Sequence, residues 1–312
     1  MDKFVHGARV VFFGDSITAN GTWMRRILEY YRKNTDIRFE LYNAGVSGDN
    51  ATNASVRIYE DVLYHEPTDV VMMFGMNDVC RGYYAEGAST EVATERRACL
   101  EACIRKIKEL AYAFQRRGIR VILASPTPYD ELAEIPQYNY IGVEAALYEI
   151  GDRLNVFAKK NGIPFVAFNS LMLPILKKEY KSGKSFIGPD RVHPTPAGHE
   201  LMAALFLREQ GFEVEIPETV EKMTELSRRP FDEWEERRYF LECRITPAKF
   251  IDRCLFTGIK DSQYVLKYTE EKLAKEATDY QKSCAEAYKE YVHNKDAYVS
   301  ELNEHTRTVY GN

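Results

Sequence analysis

Within the first 170 residues, five apolar runs of strand length alternate with segments of helical period. The runs are "ARVVFF", "IRFELYN", "TDVVMMFG", "IRVILASP" and "PFVAFN". Runs so rich in Val, Ile and Phe, and so short, read as strands buried on both faces. Helices are indicated by "TWMRRILEYYRK", by "ERRACLEACIRKIKELAYAFQRRG" closing on Gly118, by "IGVEAALYEIGDRLNVFAKKNG" closing on Gly162, and by "TPAGHELMAALFLREQG" closing on Gly211. Parallel neighbours need crossover connections, and those crossovers are right-handed, so this alternation predicts an α/β fold: a parallel sheet with helices on both faces. The last of the five strands is expected to end near Asn169.

The rest of the chain narrows the class of partner. A net charge of -5 over 312 residues leaves no basic footprint for nucleic acid or an anionic membrane, so a small soluble substrate fits better. The apolar runs are too short to span a bilayer, and "MDKFVHGARVVFF" lacks the order of a signal peptide, which predicts a cytoplasmic protein. Cys80, Cys99, Cys103, Cys243, Cys254 and Cys284 form no C-x-x-C pair, so free thiols are expected, with neither zinc nor a disulfide required. After Gly211 the texture changes to helix without a buried strand, dividing the chain into residues 1–210 and a helical extension at 211–312. In that extension Ala277, Tyr280, Cys284, Ala287, Tyr291, Tyr298 and Leu302 recur mostly three and four apart, one apolar face that must pack on the chain itself or form a homodimer contact.

Chemistry-bearing residues gather where the strands end. "VVFFGDSITANG" passes abruptly from apolar to Gly, Asp, Ser, and the carboxyl end of a strand is where open α/β sheets place ligands. Ser16 is thus a candidate nucleophile, unless it merely caps a helix starting near Asn20 or Thr22. Three further pieces favour the nucleophile. "NAGVSGDN" follows the second strand, where Gly45 and Gly48 allow close approach to a ligand or a positive φ. "FGMND" follows the third and offers the amide of Asn77. "GPDRVHPTPAGHE" supplies Asp190 and His193 three residues apart. A serine hydroxyl attacks only when a base takes its proton, and an imidazole does so near neutral pH when a carboxylate fixes its tautomer. Asp190 can meet Nδ1 of His193 and leave Nε2 facing Ser16, while N–H groups of Ser16, Gly48 and Asn77 can receive an oxyanion.

This ordered set resembles the SGNH hydrolases, also called the GDSL esterase/lipase family. "GDSIT" matches the first family block, Gly48 in "VSGDN" the second, Gly75 to Asp78 in "GMND" the third, and "DRVHP" the last, over about residues 8 to 210. The resemblance implies a flavodoxin-like three-layer sandwich with a five-stranded parallel sheet of order 2-1-3-4-5. It also implies a catalytic triad of Ser16, Asp190 and His193, an oxyanion hole of Ser16, Gly48 and Asn77, and hydrolysis of esters without a cofactor. The helical extension is not explained by the family blocks.

The loops "VCRGYYAEGAST" and "SPTPYDELAEIPQYNYIG" leave the sheet on the same edge and are expected to wall the pocket. Arg81, Tyr83, Tyr84, Tyr129, Tyr138 and Tyr140, with Asp15, suit a polar sugar-like alcohol better than a long acyl chain, which favours acetyl esters of carbohydrates, unless the tyrosines pack against the C-terminal helices instead. Two other readings remain open. One is a metal-dependent phosphoesterase built on Asp15, Asp49, Asn77 and His193. The other is a non-catalytic interaction protein acting through its helical tail. "SGKS" at 182–185 lacks the leading glycine and strand of a phosphate loop and reads as an ordinary loop. Asp15, Asp49 and Asp78 are expected to orient loops rather than hold a cation, and His199 to pack at the last helix.

Overall fold

Val10 to Phe13 have no room for water on either side: all four are fully buried in β1 (Arg9–Gly14), an interior strand of the sheet. The structure, a computed structural model, describes residues 1–85 and 90–231. After β1 come α1 (Ser16–Asn20), α2 (Thr22–Asn34), β2 (Glu40–Gly45), α3 (Ala51–Ala54), α4 (Ile58–Asp61) and β3 (Asp69–Met73). The chain continues through α5 (Thr90–Gln115), β4 (Arg120–Ala124), α6 (Val143–Lys160), β5 (Phe165–Val166), α7 (Phe168–Tyr180), α8 (Pro196–Glu209) and α9 (Val220–Ser227). The five strands are parallel in the order 2-1-3-4-5, as the family resemblance implies.

That order explains the layers. The crossover from β1 to β2 runs in one direction along the sheet, and those from β3 to β4 and β4 to β5 run in the other. Right-handed connections therefore place α2 on one face and α5 and α6 on the opposite one. α2 packs with α8, α8 with α9, and α5 with α6, so each face has its own helical layer. Trp23 of α2 meets Phe12 of β1 and Phe168 of α7 edge-on, at centroid distances of 5.1 and 5.5 Å.

Several boundaries differ from the sequence reading. The second strand starts at Glu40 rather than Ile37, and the fifth is only Phe165–Val166, so Asn169 lies in α7, a helix the apolar run concealed. A continuous apolar stretch has no period that separates a strand from a buried helix. Helix α5 begins at Thr90, five residues before the expected start. Beyond Gly211 the chain stays on the same core: Phe212, Val214, Ile216 and Val220 pack against it and Met223 is fully buried. The apolar stripe from Ala277 to Leu302, and with it the dimer expectation, lies outside the described residues. No helix among the described residues is long and apolar enough to cross a membrane.

Register sets the site. Gly14 pairs with Gly45 and Met73, and Met73 with Ala124, so β1 to β4 end level with one another. The strand order reverses between β1 and β3, which opens a crevice at their carboxyl ends. Ser16, Gly48 and Asn77 all follow those ends.

Candidate active site

Asp15, not Ser16, caps α1. Its carboxylate accepts the N–H of Ile17 at 3.0 Å, leaving the Ser16 hydroxyl for other work. That hydroxyl lies 2.7 Å from Nε2 of His193. On the far side of the ring, Nδ1 is 2.5 Å from Oδ2 of Asp190, while Oδ1 of Asp190 accepts the backbone N–H groups of Val192 and His193, both at 3.0 Å. Partial burial works against ionisation of Asp190, but hydrogen bonds from the His193 backbone and ring and from Val192 outweigh it and hold the carboxyl below its ordinary range. A carboxylate is thus fixed behind the imidazole across neutral pH, the condition for a ring that takes a proton from a serine.

Glycine makes the position of Ser16 possible. A Cβ on Gly14 would stand 2.6 Å from the Met73 carbonyl, and one on Gly45 would stand 2.2 Å from the Ala19 nitrogen. Gly45 therefore serves the packing of α1 against β2 rather than the approach of a ligand. Gly48, exposed at φ 72 with nothing near a would-be Cβ, is the position that needs glycine for its backbone.

Asn77 is held at both ends of its amide. Its Nδ2 donates to the Asp49 carbonyl at 2.9 Å, and its Oδ1 accepts from Arg81 Nη1 at 3.4 Å, the same nitrogen that donates to the Met76 carbonyl at 2.5 Å. One Nδ2 hydrogen remains for a developing oxyanion. Asp49 in turn is gripped by Arg57, whose side chain is completely buried: the Arg57 guanidinium donates to Asp49 Oδ2 through Nε at 2.8 Å and lies 2.7 Å from it through Nη2. Nη1 of Arg57 donates to the Ala44 carbonyl at 2.8 Å and to Asp61 at 3.0 Å, and Nη2 to the Gly14 carbonyl at 3.3 Å. This one residue therefore ties the ends of β1 and β2 to the loop under Asn77. Sequence reasoning missed it; the i, i+4 spacing of Arg57 and Asp61 was the only local hint.

The three aspartates beside the motifs turn inward. Asp78 accepts the N–H groups of Ala51 and Gly75, at 2.9 and 3.0 Å, and burial raises its pKa to about 6. Burial likewise raises Asp15 to about 7; the Ile17 N–H opposes this, and the nearby charges of Asp78 and Asp49 add to it. His199 is buried in α8, and burial followed by the charge of His193 lowers its pKa to about 3.

Beside Asp190 opens a cleft of about 680 Å³, lined also by Arg81, Tyr83, Tyr129, Tyr138 and Tyr140 together with Asn77. Cys80, Gly82 and Gln137 join this lining; they lie in the two loops expected to wall the pocket but are not singled out by the sequence. The rings of Tyr138 and Tyr140 stand 4.7 Å apart, and the Tyr129 hydroxyl accepts the Tyr140 N–H at 3.1 Å behind them. Two residues expected at the substrate lie elsewhere. Asp15 is buried beneath the α1 turn, and Tyr84 packs on the core with the Arg96 guanidinium 4.4 Å above its ring.

Residues 10–206 match the model of the GDSL-like Lipase/Acylhydrolase family. An acetylxylan esterase from Geobacillus stearothermophilus is 27% identical over 229 residues, spanning 68% of this chain and 97% of that protein. The crystal structure of Axe2, an acetylxylan esterase from the same organism, superposes with a TM-score of 0.56 at 24% identity, over 68% of this chain and 97% of its own. Other crystal structures of that enzyme are of catalytic mutants in which a serine, an aspartate or a histidine is replaced by alanine. A gut microbial diltiazem-metabolizing enzyme superposes with a TM-score of 0.77 at 18% identity, over 99% of this chain and 96% of its own.

Proposed function

Because the chain belongs to the GDSL-like lipase/acylhydrolase family and is an ester-hydrolysing serine hydrolase, we propose that Ser16 is its nucleophile and that its substrates are acetyl esters of a carbohydrate or similar polar alcohol. The observation that carries the reading is the line of short contacts from Ser16 through His193 to Asp190. In the first half-reaction His193 Nε2 takes the Ser16 proton as Oγ attacks the ester carbonyl, and Asp190 balances the imidazolium that results. The oxyanion is received by the free Nδ2 hydrogen of Asn77 with the backbone N–H groups of Ser16 and Gly48. His193 then returns its proton to the departing alcohol, leaving an acyl group on Oγ. In the second half-reaction water attacks that acyl-enzyme with the same base.

The alcohol is the finer part of the reading. An open cleft walled by tyrosines, with Arg81 and Gln137 among them, offers ring faces and polar tips rather than an aliphatic trough. The acetylxylan esterase relative, similar over nearly its whole length, supports the same class. The test is a panel of p-nitrophenyl esters of increasing acyl length and of acetylated xylo-oligosaccharides, run with wild type beside Ser16→Ala. Acetate release from the oligosaccharides and a sharp fall in rate beyond short acyl chains are expected. A preference for long acyl chains, or no release from any acetylated sugar, overturns the carbohydrate reading.

A further inference from the structure

Arg191, between the two acidic and basic members of the triad turn, stands at φ 66, the left-handed region that favours glycine, and is nevertheless an arginine. Its side chain is buried, and among the described residues every partner of its guanidinium is a main-chain carbonyl. Nη1 donates to Asp130 at 2.9 Å and to Ala133 at 2.8 Å, Nε to Gln137 at 3.0 Å, and Nη2 to Ile135 at 3.3 Å. The backbone adds a further bond, the Asp130 N–H donating to the Arg191 carbonyl at 2.9 Å.

All five bonds go to one stretch, the segment between β4 and α6 that carries Tyr129, Gln137, Tyr138 and Tyr140 of the cleft. That segment has no regular secondary structure over residues 125–142, so its carbonyls find no ladder or helix to pair with. A planar fork of five donors is the side chain able to gather several carbonyls converging on one point. At its other end Arg191 is covalently fixed between Asp190, which orients the imidazole, and Val192, whose N–H that same aspartate accepts. A strained backbone held by a dense set of bonds at a functional turn marks a conformation that its surroundings impose.

We propose that Arg191 is a positioning residue that locks the aromatic wall of the cleft to the Asp190–His193 turn, and so sets how tightly a ring-bearing alcohol is bound at the distance the triad requires. The inference rests on the esterase reading above. It does not require the alcohol to be a sugar. Without the guanidinium the wall must be ordered anew by each substrate, and that ordering weakens binding. The effect therefore falls on KM for esters whose alcohol touches the wall.

The experiment compares Arg191→Gly and Arg191→Lys with wild type on 4-methylumbelliferyl acetate, whose alcohol is a fused ring, and on ethyl acetate, whose alcohol is too small to reach the wall. Glycine suits the positive φ and deletes all four guanidinium bonds, while lysine keeps the charge but not the fork. The ratio of kcat/KM for the ring ester to that for ethyl acetate is expected to fall by about tenfold or more in Arg191→Gly and by about threefold in Arg191→Lys, with the loss in KM. An unchanged ratio in Arg191→Gly overturns the proposal, because glycine then replaces arginine as a mere occupant of the turn. A fall carried by kcat alone overturns it too, by making the residue a support of His193 rather than of the wall. Should Arg191→Gly not fold, Arg191→Lys decides by the same ratio. Acetylated xylo-oligosaccharide assayed alongside keeps the questions apart: its inertness with wild type removes the sugar reading, while the ratio still tests Arg191.

Discussion

Gly45→Ala introduces one methyl group and is expected to disable Ser16, the proposed nucleophile, without touching it. The new Cβ would stand 2.2 Å from the Ala19 nitrogen, 2.6 Å from the Thr18 carbonyl carbon and 2.7 Å from the Ala19 Cα, all backbone atoms that cannot rotate away. An ordinary contact begins near 3.4 Å, so α1 must retreat from β2 by about 1 Å, roughly the difference between that contact distance and the present one. Ser16 opens α1 and sits 2.7 Å from His193 Nε2, while His193 belongs to a turn that Gly45 does not touch. The retreat therefore lengthens the serine–histidine contact beyond hydrogen-bond range, and a displacement of this size costs about a hundredfold in rate. Overpacking should destabilise the fold by about 1–3 kcal/mol, lowering Tm by about 2–4 °C for each kcal/mol. The assay is kcat on p-nitrophenyl acetate with a thermal melt, beside Gly48→Ala, where no neighbour lies within 4 Å and only the positive φ is strained. Gly45→Ala with wild-type kcat and Tm would refute the argument, since α1 would then have slack that the packing denies it.

Ser16→Ala and His193→Ala should each lower turnover on an activated ester by about four to six orders of magnitude, with the double variant scarcely worse, because a nucleophile and its base act as one unit. Losses that multiply would dissolve the pair. Asn77→Ala should cost about two to three orders in kcat with a smaller change in KM, as expected of a donor that matters in the transition state; a change confined to KM would move Asn77 to substrate binding. Asp15→Asn tests a buried carboxyl raised from its ordinary 3.8 to about 7. The folded protein holds this proton more tightly than the unfolded chain, so the group's contribution is complete below pH 3.8 and lost as pH rises through 7. Urea titrations should show wild type losing stability relative to Asp15→Asn across that window, by up to about 1.4 kcal/mol per pH unit, and parallel curves would contradict the burial argument.

The amino-acid sequence alone determined what local pattern can carry. Uninterrupted Val, Ile and Phe runs alternating with helical periods pointed to a parallel sheet, whose strands are buried on both faces and joined by crossover helices. The break from "VVFF" into Gly-Asp-Ser, and the placing of Gly48, Asn77, Asp190 and His193 after strands or before a helix, put these groups on one edge of the sheet from sequence alone. Where pattern is ambiguous the sequence does not decide: "PFVAFN" hides the start of α7 because a short apolar run carries no period to tell strand from helix. Ser16 reads equally as a cap in sequence because capping and nucleophilic serines look alike there; the neighbouring carboxylate takes the cap only once the turn is folded. Gly45 signalled a close approach without saying to what, and the partner proved to be α1. Arg57 and Arg191 were hard to read for a different reason. Both are surface-type residues whose partners gather only when the chain folds: Arg57 joins its near neighbours Asp49, Ala44 and Asp61 to the Gly14 carbonyl 43 positions back, and Arg191 reaches back 54 to 61 positions. A buried arginine is legible only when the chain has already closed around it, since its bonds reward an arrangement of backbone dipoles that exists in no local stretch.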